Sequence, residues 1–324
     1  MSSLAAISQL GSLRSDANEA RSARHRTNVL RGIAWMLLAM SCIALVDGAA
    51  KFLASEVHGM QIAWGYFLAM LINLLIVVLG RGVVPRTLLH TKLWKRQMVR
   101  ASCLVGSLSC LFISLRYLPL AEATSISFTS PLFIVALAGP LLKEHIGWPK
   151  WVAVAVGMAG AMLIVRPGSD VLGWAAFLPL IGAVFFAFFS IFTRTLGAGE
   201  PIWTTLFYTT AVGTALLSPA MIFVWSDLSA LQSAVLFACG TLGLIAHLSM
   251  VRAMQIADAS TLAPMNYVRL VWALGIGWIM YRAVPDNLSL LGGAIIVASG
   301  LFVVSSASAP RPEPSRIQRP APAR

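Results

Sequence analysis

A chain of 324 residues that is 58% hydrophobic and only 11% charged is too apolar for a soluble globular domain. Its net charge of +12 raises a nucleic-acid reading, but no folded basic module is present to carry one, so no nucleic acid is expected as a partner. What remains is a chain that is nearly all membrane.

Residues 1–29 are polar and Arg-bearing, without the apolar core and small-residue cleavage site of a signal peptide. They read as a disordered cytoplasmic tail. Ten apolar runs follow, at residues 32–52, 60–79, 99–115, 121–142, 148–165, 172–192, 203–225, 231–251, 259–281 and 288–304. Each is close to the roughly 20 residues that a helix needs to cross a bilayer. Most connections are only a few residues long. Residues 306–324, rich in Pro and Arg, read as a second disordered cytoplasmic tail beside lipid headgroups.

One segment occurs twice. Arg116-Tyr117-Leu118-Pro119-Leu120-Ala121-Glu122-Ala123-Thr124 returns as Arg252-Ala253-Met254-Gln255-Ile256-Ala257-Asp258-Ala259-Ser260. In both copies an Arg, five residues and an Ala-acid-Ala-hydroxyl joint open an apolar run containing a proline. Five spans separate the copies, an odd number, so they face opposite sides of the membrane. The expected fold is an all-α membrane protein of ten transmembrane helices in two inverted five-helix repeats, residues 30–166 and 171–305. The hydrophilic stretch at 166–170 joins them.

Basic residues orient the chain. If both termini are cytoplasmic, nineteen of the 24 Lys and Arg fall on that face, Arg100 among them, and four on the other. That bias is the positive-inside pattern. Cys42, Cys103, Cys110 and Cys239 all fall within spans, lack metal-ligand spacing and read as packing residues.

Two charges lie far from any span end. Asp47 sits about 22 Å along the first helix, and Arg269 about 16 Å into the ninth. Charges at such depth must face protein or water. Asp47 has two candidate partners, Lys51 one turn on in its own helix and Arg269 across the bundle. Thr124, Ser127, Ser130 and Pro131 share a face of the fourth span, and Ser260, Pro264 and Tyr267 a face of the ninth. A proline leaves the carbonyl four residues earlier without a donor, and hydroxyls beside such carbonyls suit a solute path. The alternative is a packing kink whose hydroxyls bond back to their own helix. Asn266 and Arg269 lie on a small, polar stripe with Ala273 and Gly277, and Tyr267 and Trp272 are deep enough to stack on a flat solute. Asp47, Ser127, Ser130, Asn266, Tyr267, Arg269 and Trp272 are therefore the candidate substrate-binding residues. His-Glu-x-x-His, Gly-x-Ser-x-Gly and P-loop motifs are all absent, so neither an enzyme, a cofactor nor a bound metal is expected.

Two stretches carry a family resemblance. They are Ser127-Phe128-Thr129-Ser130-Pro131-Leu132 through Lys143-Glu144-His145, and Ala263-Pro264-Met265-Asn266-Tyr267 through Pro285-Asp286. Over about residues 30–305 the chain resembles the drug/metabolite transporter superfamily, specifically its EamA type. Within that type, Asp47-Gly48-Ala49-Ala50-Lys51-Phe52-Leu53 is similar to the first span of S-adenosylmethionine uptake transporters. Riboflavin importers and metallophore exporters are close rivals. The resemblance implies a multi-pass carrier of the bacterial inner membrane that moves a small-molecule substrate by alternating access. Proton or counter-substrate coupling and a homodimer stay open. Export, or a non-transporting membrane sensor or scaffold, are the competing readings. The chain departs from the type where Gly65-Tyr66 follows Trp64 in place of a common Arg, and at Arg269, where relatives tend to carry a neutral or acidic residue.

Overall fold

In hydrocarbon the backbone has no water to bond, so a spanning segment closes its hydrogen bonds within a helix. The structure, a computed structural model, describes residues 30–82, 88–89, 91–142, 148–165, 173–196, 200–256, 265, 268–283 and 285–307. Among them every regular element is helical. The first half comprises α1 (Leu30–Leu53), α2 (Gly59–Gly80), α3 (Trp94–Ser114), α4 (Leu120–Ser127), α5 (Ser130–Leu142) and α6 (Trp148–Val165). The second comprises α7 (Phe177–Leu196), α8 (Ile202–Leu217), α9 (Ala230–Ile256), α10 (Val268–Tyr281) and α11 (Asn287–Ala307). Among the described residues α4 and α5 share the fourth span, and the seventh continues past α8 through a short helix, Met221–Val224. Six of the described helical runs are long and apolar enough to cross a membrane. The joint at 166–170, residues 1–29 and 308–324, Lys143-Glu144-His145 and the ninth-span residues Ser260, Pro264, Asn266 and Tyr267 lie outside the described residues, while α11 runs into the first two residues of the expected C-terminal tail.

The break in the fourth span has a local cause. Pro131 has no N–H to offer the Ser127 carbonyl, so the α-helical ladder cannot run through. The chain turns out of helix at Phe128 and Thr129. The Thr129 carbonyl then accepts from Leu132 N (2.9 Å) and Phe133 N (3.2 Å), restarting the helix as α5. Ser127 Oγ donates to the Ala123 carbonyl (2.9 Å) and Thr129 Oγ1 to the Ile126 carbonyl (2.7 Å), each within its own turn.

The helix packing repeats across the halves. α2 packs on α9 as α3 packs on α8. α3 packs on α7, and its counterpart joins α1 to α9 through Met36, Met40 and Ala253. α4 and α5 pack on α7, and the matching pair is α1 with α10, joined by hydrogen bonds. The pairs α2–α8, α4–α10 and α6–α11 are their own counterparts. An interchange of halves that maps contacts onto contacts is what two repeats related by a pseudo-twofold axis require.

Small residues set the closest crossings, since lipid offers helices no hydrophobic drive to associate. α6 meets α11 where a Cβ at Gly292 would lie 2.6 Å from the Gly160 carbonyl oxygen. α3 meets α7 where a Cβ at Gly106 would lie 3.1 Å from the Phe185 ring. The apolar core runs through α2 and α3 and includes Phe67, Met70, Leu74 and Phe112, all fully buried.

Candidate functional site

α1 and α10 come from opposite halves and lie side by side. Their contact is built from small and polar residues. A Cβ at Gly48 would lie 2.9 Å from Ile276, so the absent side chain lets the helices approach. Tyr281 Oη donates to the Gly48 carbonyl (2.9 Å), and Trp272 Nε1 donates to Ser41 Oγ (3.0 Å). On the same contact Arg269 Nε donates to Asp47 Oδ2 at 2.6 Å. The Asp47 side chain is 4% exposed and that of Arg269 20%, so the pair is nearly withdrawn from solvent. A charge-assisted bond of this length in a dry site is strong only while both charges are present.

Of the two candidate partners of Asp47, the structure therefore joins it to Arg269. Lys51 is used elsewhere. Its Nζ donates to the carbonyls of Leu115 (2.6 Å) and Leu118 (2.8 Å), tying α1 to the end of α3, with Glu122 as an electrostatic neighbour. An ammonium at carbonyls left open by a helix C-terminus is the favourable arrangement for both.

The sequence-predicted residues do not all gather. Asp47, Arg269 and Trp272 lie on the α1–α10 contact, and Trp272 is 46% exposed. Ser127 and Ser130 sit at the α4–α5 break. Asn266 and Tyr267 are among the residues not described.

Further residues gather where spacing alone did not place them. Tyr66 of α2 is buried among Phe67, Phe112 and Gly243, and a Cβ at Gly243 would collide with its hydroxyl. Tyr66 and Cys239 are electrostatic neighbours of Asp47, which brings α2 and α9 to the same centre. The deviant Gly65-Tyr66 pair was the available signal: Gly65 admits Leu236 of α9. Glu122, the acid of the repeated joint, is 6% exposed. With Ser125, Leu270, Leu274, Ser289 and Gly293 it lines a cavity of about 240 Å³ between α4, α10 and α11.

Arg100 is a correction. The sequence placed it with the cations of a loop, but α3 begins at Trp94 and carries Arg100 inward at 5% exposure. The helix can start early because its polar residues find partners on other helices. Gln97 Nε2 reaches Glu200 Oε2 (3.3 Å) and Thr205 Oγ1 (3.1 Å), and Thr91 Oγ1 donates to Glu200 Oε1 (2.9 Å).

Comparison with known proteins bears on the whole chain. The EamA-like transporter family matches it twice, over residues 30–166 and 173–305. An S-adenosylmethionine uptake transporter of Rickettsia conorii is 29% identical over 278 residues, covering 86% of this chain and 93% of the relative. A riboflavin transporter of Rhizobium johnstonii is 26% identical, covering 94% and 99%. The pseudopaline exporter CntI of Pseudomonas aeruginosa is 31% identical over 197 residues, covering 59% and 68%.

Proposed function

The chain belongs to the EamA-like transporter family, and from that premise we propose that it is a secondary carrier importing a nucleoside-like or amino-acid-derived metabolite across a bacterial inner membrane. The observation that carries the proposal is the Asp47–Arg269 pair, which links α1 of one half to α10 of the other. Alternating access rocks one repeat against its partner around a central site. A pair bridging the halves resists that motion until something replaces one of its charges. A solute bearing a positive group is attracted to Asp47 and takes the place of Arg269, so binding energy is converted into release of the halves. The ligand then shifts the population because it binds the released state better. Similarity to an S-adenosylmethionine uptake transporter over most of both chains supports a cationic, amino-acid-derived solute, and similarity to a riboflavin transporter supports a flat one.

Export is the second reading, favoured by the similarity to the pseudopaline exporter. The test is a thermal-shift screen of the purified protein with S-adenosylmethionine and riboflavin among the solutes. Each stabilising solute is then offered to proteoliposomes. Saturable uptake of S-adenosylmethionine, reduced when Asp47→Asn replaces the wild type, is the expected result. Stabilisation without uptake, with movement only from the opposite face, would favour export. A protein that moves none of the solutes in either direction would sink the carrier reading.

A further inference from the structure

We propose that two glutamine–glutamate bonds, Gln97–Glu200 at one end of the molecule and Gln232–Glu56 at the other, are paired latches that open one at a time as the carrier works. The inference rests on the carrier reading above and names contacts that part when its central site is reached. Gln97 Nε2 donates to Glu200 Oε2 (3.3 Å), and Gln232 Nε2 donates to Glu56 Oε2 (2.6 Å). Each bond joins one half to the other, and the two are built alike. The glutamine opens the third span of its half, as the fourth residue of α3 and the third of α9. The glutamate precedes the second span of the opposite half, two residues before α8 and three before α2. The positions agree to within one residue, so interchange of the halves turns one bond into the other. Five spans separate matching positions, an odd number, which puts the two bonds at opposite ends.

Neighbours brace each latch. At the first, Glu200 Oε1 accepts from Thr91 Oγ1 (2.9 Å), and Gln97 Nε2 is shared with Thr205 Oγ1 (3.1 Å). At the second, Gln232 Oε1 accepts from Ser229 N (2.8 Å), which fixes the side chain that reaches Glu56. Beside it Gln61 of α2 holds Ser226: its Nε2 donates to the Ser226 carbonyl (2.7 Å), and its Oε1 accepts from Ser226 N (3.1 Å) and Oγ (2.9 Å). An amide donating to a carboxylate lies between a neutral hydrogen bond and a buried ion pair in strength, enough to hold an end shut and little enough to break in each cycle. Between the latches the halves meet through glycine. A Cβ at Gly240 of α9 would collide with Ala69 of α2, and one at Gly213 of α8 would lie 2.5 Å from the Phe67 ring of α2. Helices this close in the middle have no room to separate there. A tight middle between two breakable ends is a fulcrum, so parting one end presses the other together.

The test uses the full chain in proteoliposomes, with Cys42, Cys103, Cys110 and Cys239 replaced and Thr209→Cys as the probe. Thr209 is 1% exposed and lies one turn inward of Thr205, beneath the first latch. Its reaction with a small water-soluble maleimide reads opening at that end and needs no solute. Gln97→Leu removes the first latch and should raise the reaction rate about fivefold or more. Glu56→Ala frees the opposite end, leaves the Ser229–Gln232 bonds in place and should lower the rate below that of the parent. If Gln97→Leu does not fold, Glu200→Ala opens the same end from the loop. A rate that loss of the first latch leaves unchanged would overturn that latch, and one that Glu56→Ala leaves unchanged or raises would overturn the pairing. The second readout is uptake of S-adenosylmethionine by Gln97→Cys with Glu200→Cys, and by Gln232→Cys with Glu56→Cys. Bridging either pair with a bis-methanethiosulfonate should stop uptake, and reductant should restore it. Uptake that continues across a bridge would mean a seam that never parts, which overturns the latches and leaves the carrier reading intact. Opposite labelling responses in a protein that moves no solute would spare the latches and sink the carrier.

Discussion

Asp47 pairs with Arg269 of the opposite half, and the carrier proposal makes it the group that a solute engages. In Asp47→Asn an oxygen still accepts from Arg269 Nε, so the hydrogen bond survives while the counter-charge is lost. Thermal stability should fall modestly and solute uptake by about tenfold or more, the difference separating a transport role from a folding role. Unchanged uptake would reduce the pair to packing. The exchange Asp47→Arg with Arg269→Asp should recover the stability that either single change loses, because the partners touch. At the edge of the membrane, His58 caps α2 by accepting the Met60 N–H on Nδ1 (3.2 Å), which needs the neutral ring. Burial and the nearby Arg116 charge both hold His58 below the usual histidine pKa. A group depressed in the folded state stabilises fully above its unfolded pKa, near 6.5, and loses that contribution as pH falls through the folded value. Melting temperatures taken from pH 7.5 down to 5 should therefore drop more in wild type than in His58→Asn, whose cap does not titrate. Parallel curves would remove His58 from the account.

At the scale of elements, two features set how the helices pack. The fourth span is two helices because Pro131 interrupts its ladder: both pieces pack on α7, and α4 also packs on α10. The crossing of α6 and α11 is the opposite case, a contact too close to adjust. A Cβ at Gly292 would sit 2.6 Å from the Gly160 carbonyl oxygen, and it would also press on Ile164. Gly292→Ala should cost about 1–3 kcal/mol by forcing the helices apart, read as a lower melting temperature. The same change at Gly275, where nothing lies within 4 Å, should be neutral or slightly stabilising. Equal effects at the two positions would mean that the α6–α11 crossing is not tight.

At the scale of the molecule, the basic residues predict orientation. With nineteen of the 24 Lys and Arg assigned to one face, reporter fusions after Arg96 should report cytoplasm and fusions after Asp227 the opposite side. The reverse result would overturn the orientation and leave the helix packing as it stands. The repeat was legible because Ala-acid-Ala joints recur at an odd span spacing, and the family match to both halves agrees with it. The spans were legible because hydropathy over about 20 residues measures what the bilayer selects. Their ends were less so. α3 starts five residues before the expected position, since Gln97 and Arg100 are polar in sequence but satisfied across the bundle.

What the sequence by itself determined is therefore what lipid acts on locally: an all-helical membrane chain with its apolar spans and its two repeats. Only the tertiary structure decided which charge meets which. Asp47 had Lys51 four residues away and Arg269 more than 200 residues away, and it pairs with the distant one. Lys51 is drawn instead to the open carbonyls at the end of α3. The reason is physical. Hydropathy and helical period are properties of a segment alone, whereas an ion pair in a dry interior is set by the close approach of helices from opposite halves, which Gly48 permits and no local pattern encodes.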